Sequence, residues 1–415
     1  DIKDQISEFK TLGDLKYQNG EKILIAIVKL KSAKIVERSR YIQRGFAKYI
    51  LDKNQADACL ISFFADNYDD WRFSFINIKY SREISTVGKL KTKQILSPLK
   101  RLSYLVGKNE PNNTAKLQLI PLLLDQNETT IDQIEKAFSV EKITKEFFDQ
   151  YKRLCFIVSD ELKVLRKKDK NIDKNFKKLF LKEIDFAKKF MGQLIFLYFI
   201  QKKGWIGIKR NQNGVFSKWG SGPKNFLRKL FNKEYCDYKN FFNDILEDLF
   251  YVALSVDLPD NYYPKLECKV PFLNGGLFEP INDYNWKETD ITIKNETIEE
   301  ILNIFDTFNF TINEEESLEK DIAIDPETLG KVFENLLDEN LQRGHGVFYT
   351  PRNIVNYMCI SAVASNLSNE LQSNYSFLDC KKFINEVNSY DIDNINSLSN
   401  LSSQTSDFFK KNSDK

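Results

Sequence analysis

The chain has 415 residues, 42% of them hydrophobic, with 61 lysines and arginines against 59 aspartates and glutamates. That length implies two or three domains, and a net charge of only +2 excludes a whole-surface field for nucleic acid, so any basic surface must come from local segregation. One histidine and six scattered cysteines (Cys59, Cys155, Cys236, Cys268, Cys359 and Cys380) without a C-x-x-C pair exclude a Cys/His zinc site and read as reduced thiols in a cytoplasmic protein.

The chain opens on Asp1 rather than Met, which reads as a trimmed start; no signal peptide is visible. In "TLGDLKYQNGEKILIAIVKL" (11–30), Asn19-Gly20 separates two strand-like runs and predicts a two-residue hairpin turn. "VERSRYIQRGFAKYILDK" (36–53) has helical spacing, with Arg38, Arg40 and Arg44 along one helix. "DACLISFF" (57–64) and "WRFSFINIKY" (71–80) are further β-rich runs joined by the turn-forming "ADNYDD". The order β-β-α-β-β predicts an α/β module over 1–95.

From about residue 96 the pattern turns helical, predicting a mostly α-helical connector over 96–320. Residues 130–165 and 175–203 carry apolar residues at helical spacing, and Gly204-Trp205 predicts the end of the second run. Within it, "MGQLIFLYFI" (191–200) is the longest apolar run and is too short to cross a bilayer, so no membrane partner is expected. The lysine-rich "RKKDKNIDKNFKK" (166–178) reads as a solvated loop and helix face. "KVPFLNGGLFEPIND" (269–283) is a structured loop, and 297–325 is a helix followed by an acidic extended segment. The Ser/Asn-rich tail over 385–415 reads as a linker or a frayed end.

"DPETLGKVFENLLDEN" (325–340) is marked as a helix by Asp325 as N-cap, Pro326 in the first turn and the stripe Leu329, Val332, Phe333, Leu336 and Leu337. The segment "GHGVFYTPRNIVNYM" (344–358) follows. Here Thr350 and Pro351 open another helix, and Ile354, Val355 and Met358 are expected to face inward. A helix N-terminus suits an anion such as a carboxylate, and the rings of Phe348 and Tyr349 suit an apolar or cationic group, including a sulfonium.

This segment resembles the opening of the adenine-specific DNA methyltransferase domain in type IIG restriction-modification enzymes, single chains that combine methylation with cleavage. The resemblance rests on the F-Y-T-P motif preceded by D-P-x-x-L-G-x-V-F-E-x-L-L, and on five further blocks in the family's order. These are "RLSYLVGKNEPNNTAKLQLIPLL" (101–123), "FSVEKITKEFFDQYKRL" (138–154), "MGQLIFLYFIQKKGWIG" (191–207), "VPFLNGGLFEP" (270–280) and "FDTFNFTINEEESLEKDIAIDPETLGKVFENLL" (305–337). It implies that 321–384 holds the first helices of a class I methyltransferase domain. It further implies that Phe348, Tyr349, Thr350 and Pro351 line the methionine end of S-adenosylmethionine, that duplex DNA is the substrate of the complete enzyme, and that the system serves anti-phage defence.

The family's glycine-rich loop of the D-P-A-C-G-S-G type and its N-P-P-Y motif, which holds a flipped adenine, do not occur in this sequence. The chain alone is therefore expected not to transfer methyl groups, and no catalytic or metal residue is assigned. Either a complete enzyme or a separate chain would supply the rest; in the second case this would be a non-catalytic DNA-binding or interaction subunit of a split system. A nuclease-like, Mg²⁺-dependent endonuclease module is the other alternative, since the 1–95 order is compatible with the PD-(D/E)XK type. That chemistry needs carboxylates and a lysine converging on Mg²⁺. Asp14, Glu21 and Lys29 are the candidates, but Ile27 stands where an E-x-K pattern needs an acid. Trp71-Arg72-Phe73 reads as strand core, and His345 as a loop residue.

Overall fold

The structure is a computed structural model that describes residues 2–38, 40–78, 82–84, 90–92, 99–125, 129–211, 213–273, 276–312, 319–326, 330, 350, 352–370 and 376–388. The chain divides into two units, Asp1–Leu336 and Leu337–Lys415.

The first unit is built on a six-stranded mixed sheet. Strands β1 (Ile6–Lys16) and β2 (Lys22–Leu30) form an antiparallel hairpin. The turn is longer than the two residues expected. Asn19 accepts from the Glu21 amide at 2.9 Å and its side chain donates to the Glu21 carboxylate at 2.7 Å, drawing Glu21 into the connection. Gly20, at φ 82°, closes it with a bond to the Tyr17 carbonyl. Strand β3 (Ala58–Ala65) runs parallel to β2, which requires a crossover; helices α1 (Ala33–Arg38) and α2 (Arg40–Asn54) supply it. Arg38 and Arg44 thus lie on two helices rather than one.

Strand β4 (Asp70–Asn77) pairs with β3, and β5 (Arg82–Ile84) with β6 (Leu90–Thr92) makes a separate ribbon. Strand β7 (Lys100–Gly107) then joins β4. The helical pattern expected from about residue 96 therefore begins only at α3 (Asn113–Leu124). In β7 alternate residues face opposite ways: Leu102, Tyr104 and Val106 enter one core, while Arg101 and Ser103 are buried on the other face. Those two polar residues at inward positions hid the strand pattern.

The two sheet faces carry different cores. Leu24, Ala26, Val28, Ile61, Phe63 and Ile76 meet Phe46, Ala47, Ile50 and Leu51 of α2. On the opposite face Phe75, Leu102 and Tyr104 belong to the larger core shared with the helices. Phe138 sits between α4 (Ile131–Ala137) and α5 (Val140–Lys168), with its ring 5.7 Å from Phe73, 5.7 Å from Phe75 and 5.0 Å from Tyr104.

Helix α6 (Lys170–Lys178) takes up most of the lysine-rich link, whose sequence reads as loop and helix face. Asp169 caps it, accepting from the Asn171 and Ile172 amides, and Arg166 pairs with Asp173 and Glu183. Helix α7 (Glu183–Lys203) packs on α5 and ends at Gly204 in the left-handed region, as its sequence predicts. Then come α8 (Phe226–Phe231), π-helical turns at Phe242–Leu246 and Leu249–Ala253, a ribbon of β8 (Tyr262–Tyr263) and β9 (Cys268–Lys269), and α9 (Asn295–Phe305). Strand β10 (Glu319–Asp321) returns to pair parallel with β7.

In the second unit α10 (Arg352–Glu370) and α11 (Phe377–Asn388) pack through Ala364, Cys380 and Phe383. Ile354, Val355 and Met358, expected inside, are 50%, 42% and 59% exposed. The buried contact with α11 lies in the later part of α10, while Lys381 of α11 sits over the exposed Tyr357 ring at 4.2 Å. Most of the 325–340 helix, His345 and the tail beyond 388 lie outside the described residues.

Phe138 joins the sheet to the helices through three aromatic contacts. We expect Phe138→Ala to lower stability by about 3–5 kcal/mol, with urea unfolding as the measurement; a loss under about 1 kcal/mol would show that the interface collapses around the deletion.

Candidate functional site

Of the four residues expected to line a cofactor, Phe348, Tyr349 and Pro351 lie outside the described residues. Thr350 is exposed, two residues before the start of α10.

The nuclease candidates do not converge. Asp14 lies opposite Leu24 and pairs with Lys22 at 3.0 Å, whereas Lys29 lies opposite Glu8 and pairs with Asp66 at 2.8 Å. Five residues of strand separate the two registers, about 17 Å, and an odd offset places them on opposite faces. Glu21 is occupied in the turn with Asn19. Among the described residues no group of three or more His, Cys, Asp or Glu could hold a metal ion.

The structure instead assembles a buried polar centre on the α1–α2 side of the sheet. Strands β4 and β7 place Ser74 opposite Ser103, with their hydroxyls 3.0 Å apart, and flank them with Arg72 and Arg101. The Arg72 side chain is 2% exposed. Its Nε donates to the Val36 carbonyl at 2.6 Å and its Nη2 to the Glu37 carbonyl at 2.8 Å, the last turn of α1. Its Nη1 donates to Asp321 Oδ1 at 2.7 Å, on β10. Gln43 donates to the carbonyls of Ile35 and Val36 and accepts from Arg101 at 2.6 Å. The carbonyls left over at the end of α1 are thus satisfied by side chains, with a cation where the helix dipole favours one.

A cavity of about 90 Å³ opens beside the pair, lined by Arg72, Ser103, Glu110, Lys202, Asn309 and Asp321. It is far smaller than pockets that hold nucleotide-sized ligands. Its acids are matched internally: Asp321 with Arg72, Glu110 with Lys202, and Glu37 with the Tyr68 hydroxyl. This is a clasp rather than a reaction centre. Sequence reading missed it, because Arg72 resembles an ordinary strand residue and its partner is 249 positions away. Trp71, beside it, is partly exposed rather than core.

A second polar cluster lies within the helices. Glu247, between the two π-helical turns, is buried; it accepts from the Tyr284 hydroxyl at 2.5 Å and from the Asn243 amide at 3.3 Å. Burial raises its pKa to about 8, against the opposing effect of the Tyr284 hydrogen bond.

Removing one partner of the clasp leaves a buried charge unmatched. Asp321→Ala should cost about 3–5 kcal/mol, and the double replacement Arg72→Met with Asp321→Leu distinctly less. A double-variant loss in urea unfolding equal to the sum of the two single losses would show that the two charges are not coupled. For Glu247, the folded protein keeps a proton that the unfolded chain releases between the ordinary value of 4.5 and about 8. Stability should therefore fall as pH rises through that window, and Glu247→Gln should flatten the fall. An identical decline in the variant would place its source elsewhere.

No family model matches this chain, and no solved structure matches it. Its sequence is similar to a Methanocaldococcus jannaschii protein named as a candidate type II restriction enzyme and methyltransferase, with 32% identity over 255 residues. The match covers 54% of this chain and 19% of that protein, so the chain spans less than a fifth of its relative's length.

Proposed function

We propose that this chain is the N-terminal and connecting part of a restriction-modification protein of type IIG organisation, whose complete form methylates adenine in duplex DNA with S-adenosylmethionine. The observation that carries the reading is the 32% identity over 255 residues to the M. jannaschii protein. The family-ordered blocks and the F-Y-T-P motif support it.

The residues available at 348–351 suit the cofactor's methionine end. A helix begins at Arg352, two residues after Thr350, and the first amides of a helix offer unpaired donors to a carboxylate. The aromatic faces of Phe348 and Tyr349 suit its sulfonium. When bound, the cofactor would supply an electrophilic methyl group; Phe348 and Tyr349 would hold and orient it. Residues of the methyltransferase domain that this sequence does not carry, the glycine-rich loop and N-P-P-Y, would bind the rest of the cofactor and the adenine. The exposed side chains of Ile354, Val355 and Met358 mark a surface on which such residues would pack, whether in the same polypeptide or a second one. We propose no cleavage centre among Asp14, Glu21 and Lys29, because their positions diverge; Mg²⁺-dependent cleavage would belong to other residues of the complete protein.

The test is transfer of a labelled methyl group to duplex DNA by the complete protein. Phe348→Ala and Tyr349→Ala should each lower kcat/KM by at least about tenfold, roughly 1.4 kcal/mol of lost transition-state binding, with DNA affinity unchanged. The 415-residue chain alone should transfer none. Methylation indifferent to both substitutions, or label found on cytosine, would overturn the reading.

A further inference from the structure

Between Lys202 and Lys233 the sequence carries nine lysines and arginines and not one aspartate or glutamate. In a chain with a net charge of +2 this is a marked segregation of charge. Four of the nine are engaged with acids elsewhere: Lys202 with Glu110, Arg228 with Asp306, Lys229 with Glu234 and Lys233 with Asp237. Lys203, Lys209, Arg210 and Lys218 form no ion pair among the described residues, and neither does Lys269 on β9.

Four of these five cations, all but Lys218, are held over aromatic rings. Lys269 lies 4.1 Å from the Trp219 ring and Lys203 4.1 Å from the Trp205 ring. The Arg210 guanidinium sits 4.8 Å from Phe216 and 4.7 Å from Tyr262. Lys209 lies 4.3 Å from Tyr235. Short β-bridges place the residues on one scaffold: Arg210 opposite Phe216, Ile208 opposite Lys269, and Lys269 opposite Tyr262. The connecting loop is pinned to the end of α7, where the amides of Gly220 and Gly222 both donate to the Gly204 carbonyl. A Cβ on Gly222 would come within 2.3 Å of the Ile206 carbonyl oxygen, so only glycine allows this approach.

We propose that this basic and aromatic platform, Lys203 to Lys218 with Tyr262 and Lys269, is a surface that grips the phosphate backbone of duplex DNA. It deepens the reading of the chain as part of a DNA-modifying protein and rests on it. Ring-held cations lose less side-chain freedom on meeting a phosphate, so the surface is preorganised. Each ring already has a cation over a face, which suits contact to the backbone more than stacking of bases. Binding is therefore independent of base sequence and sensitive to salt.

The experiment is titration of the 415-residue chain onto a labelled duplex between about 50 and 200 mM salt. Replacing Lys203, Arg210, Lys218 and Lys269 together by alanine should weaken binding at least tenfold and reduce the salt slope by about 3 to 4. Replacing four exposed lysines of α5 and α6, Lys152, Lys167, Lys168 and Lys174, makes the same change in charge and should leave affinity within about twofold. Circular dichroism checks the folding of both. Equal weakening in the two variants, an unchanged salt slope in the first, tighter binding to single strands than to duplex, or no duplex binding by the parent chain would each overturn the platform. Methyl transfer by the complete protein is read separately, so failure of the platform leaves that reading standing and failure of methyl transfer does not touch this measurement.

Discussion

The ion pair between Arg72 and Asp321 is the constraint on which the first unit turns. Both side chains are removed from water, and the attraction between such charges repays their desolvation only when the remaining donors and acceptors are satisfied. Here the guanidinium meets that condition by spreading its hydrogens over Asp321 and the carbonyls of Val36 and Glu37. One side chain therefore fixes three things: the end of α1, the middle of β4, and the strand β10 that arrives after the whole helical part. A strand of three residues has little stability of its own. It stays in place because its last residue is anchored electrostatically and the amide of Ile322 donates to the Ser103 carbonyl at 2.8 Å.

The second organising feature is aromatic. The helical core brings Phe147, Tyr151, Tyr198, Phe305, Phe308 and Phe310 into contact, with ring centroids between 5.0 and 6.5 Å. In the same core Phe138 packs its ring on Phe73, Phe75 and Tyr104 of the sheet. Aromatic rings bury large areas and prefer offset or edge-on contact, and here they fill the space where α5 meets α7 and α9. Seven of the chain's 33 phenylalanines, Phe73, Phe75, Phe138, Phe147, Phe305, Phe308 and Phe310, take part in these contacts.

How much of this was legible in the sequence depended on the range of the interaction. The order β-β-α-β-β was readable because hydrophobic alternation and turn residues act locally, and the end of α7 was announced by Gly204. The strand β7 was not readable: Arg101 and Ser103 occupy inward positions that the pattern reserves for apolar residues, and their partners lie on α2 and β4. The helix α6 was hidden by its lysines, whose solvated face is compatible with loop or helix until Asp169 is seen as a cap. On α10, apolar spacing correctly marked a helix but could not say which side has a partner. At the candidate cofactor site, Thr350 alone is described, so sequence resemblance remains the basis of that assignment. The basic stretch from Lys202 was visible in the sequence as a local absence of acids, which a whole-chain charge count averages away.

The position of the clasp bears on how the chain could transmit force or register between its parts. Just after Asp321 the backbone is fixed twice more: the Ile324 amide donates to the Asn309 carbonyl at 2.7 Å, and the Thr311 amide donates to the Ile324 carbonyl at 2.9 Å. Residues 321–324 are thus tied to β7 of the sheet and to the segment leaving α9 within one short run. Asn309 is itself tied to the sheet, its side chain donating to the Leu105 carbonyl at 3.0 Å. Sheet and helices consequently meet at the point from which the chain proceeds to Asp325 and Pro326. A point fixed to both bodies moves only if they move together, and a buried ion pair resists partial opening because exposing one charge strands the other.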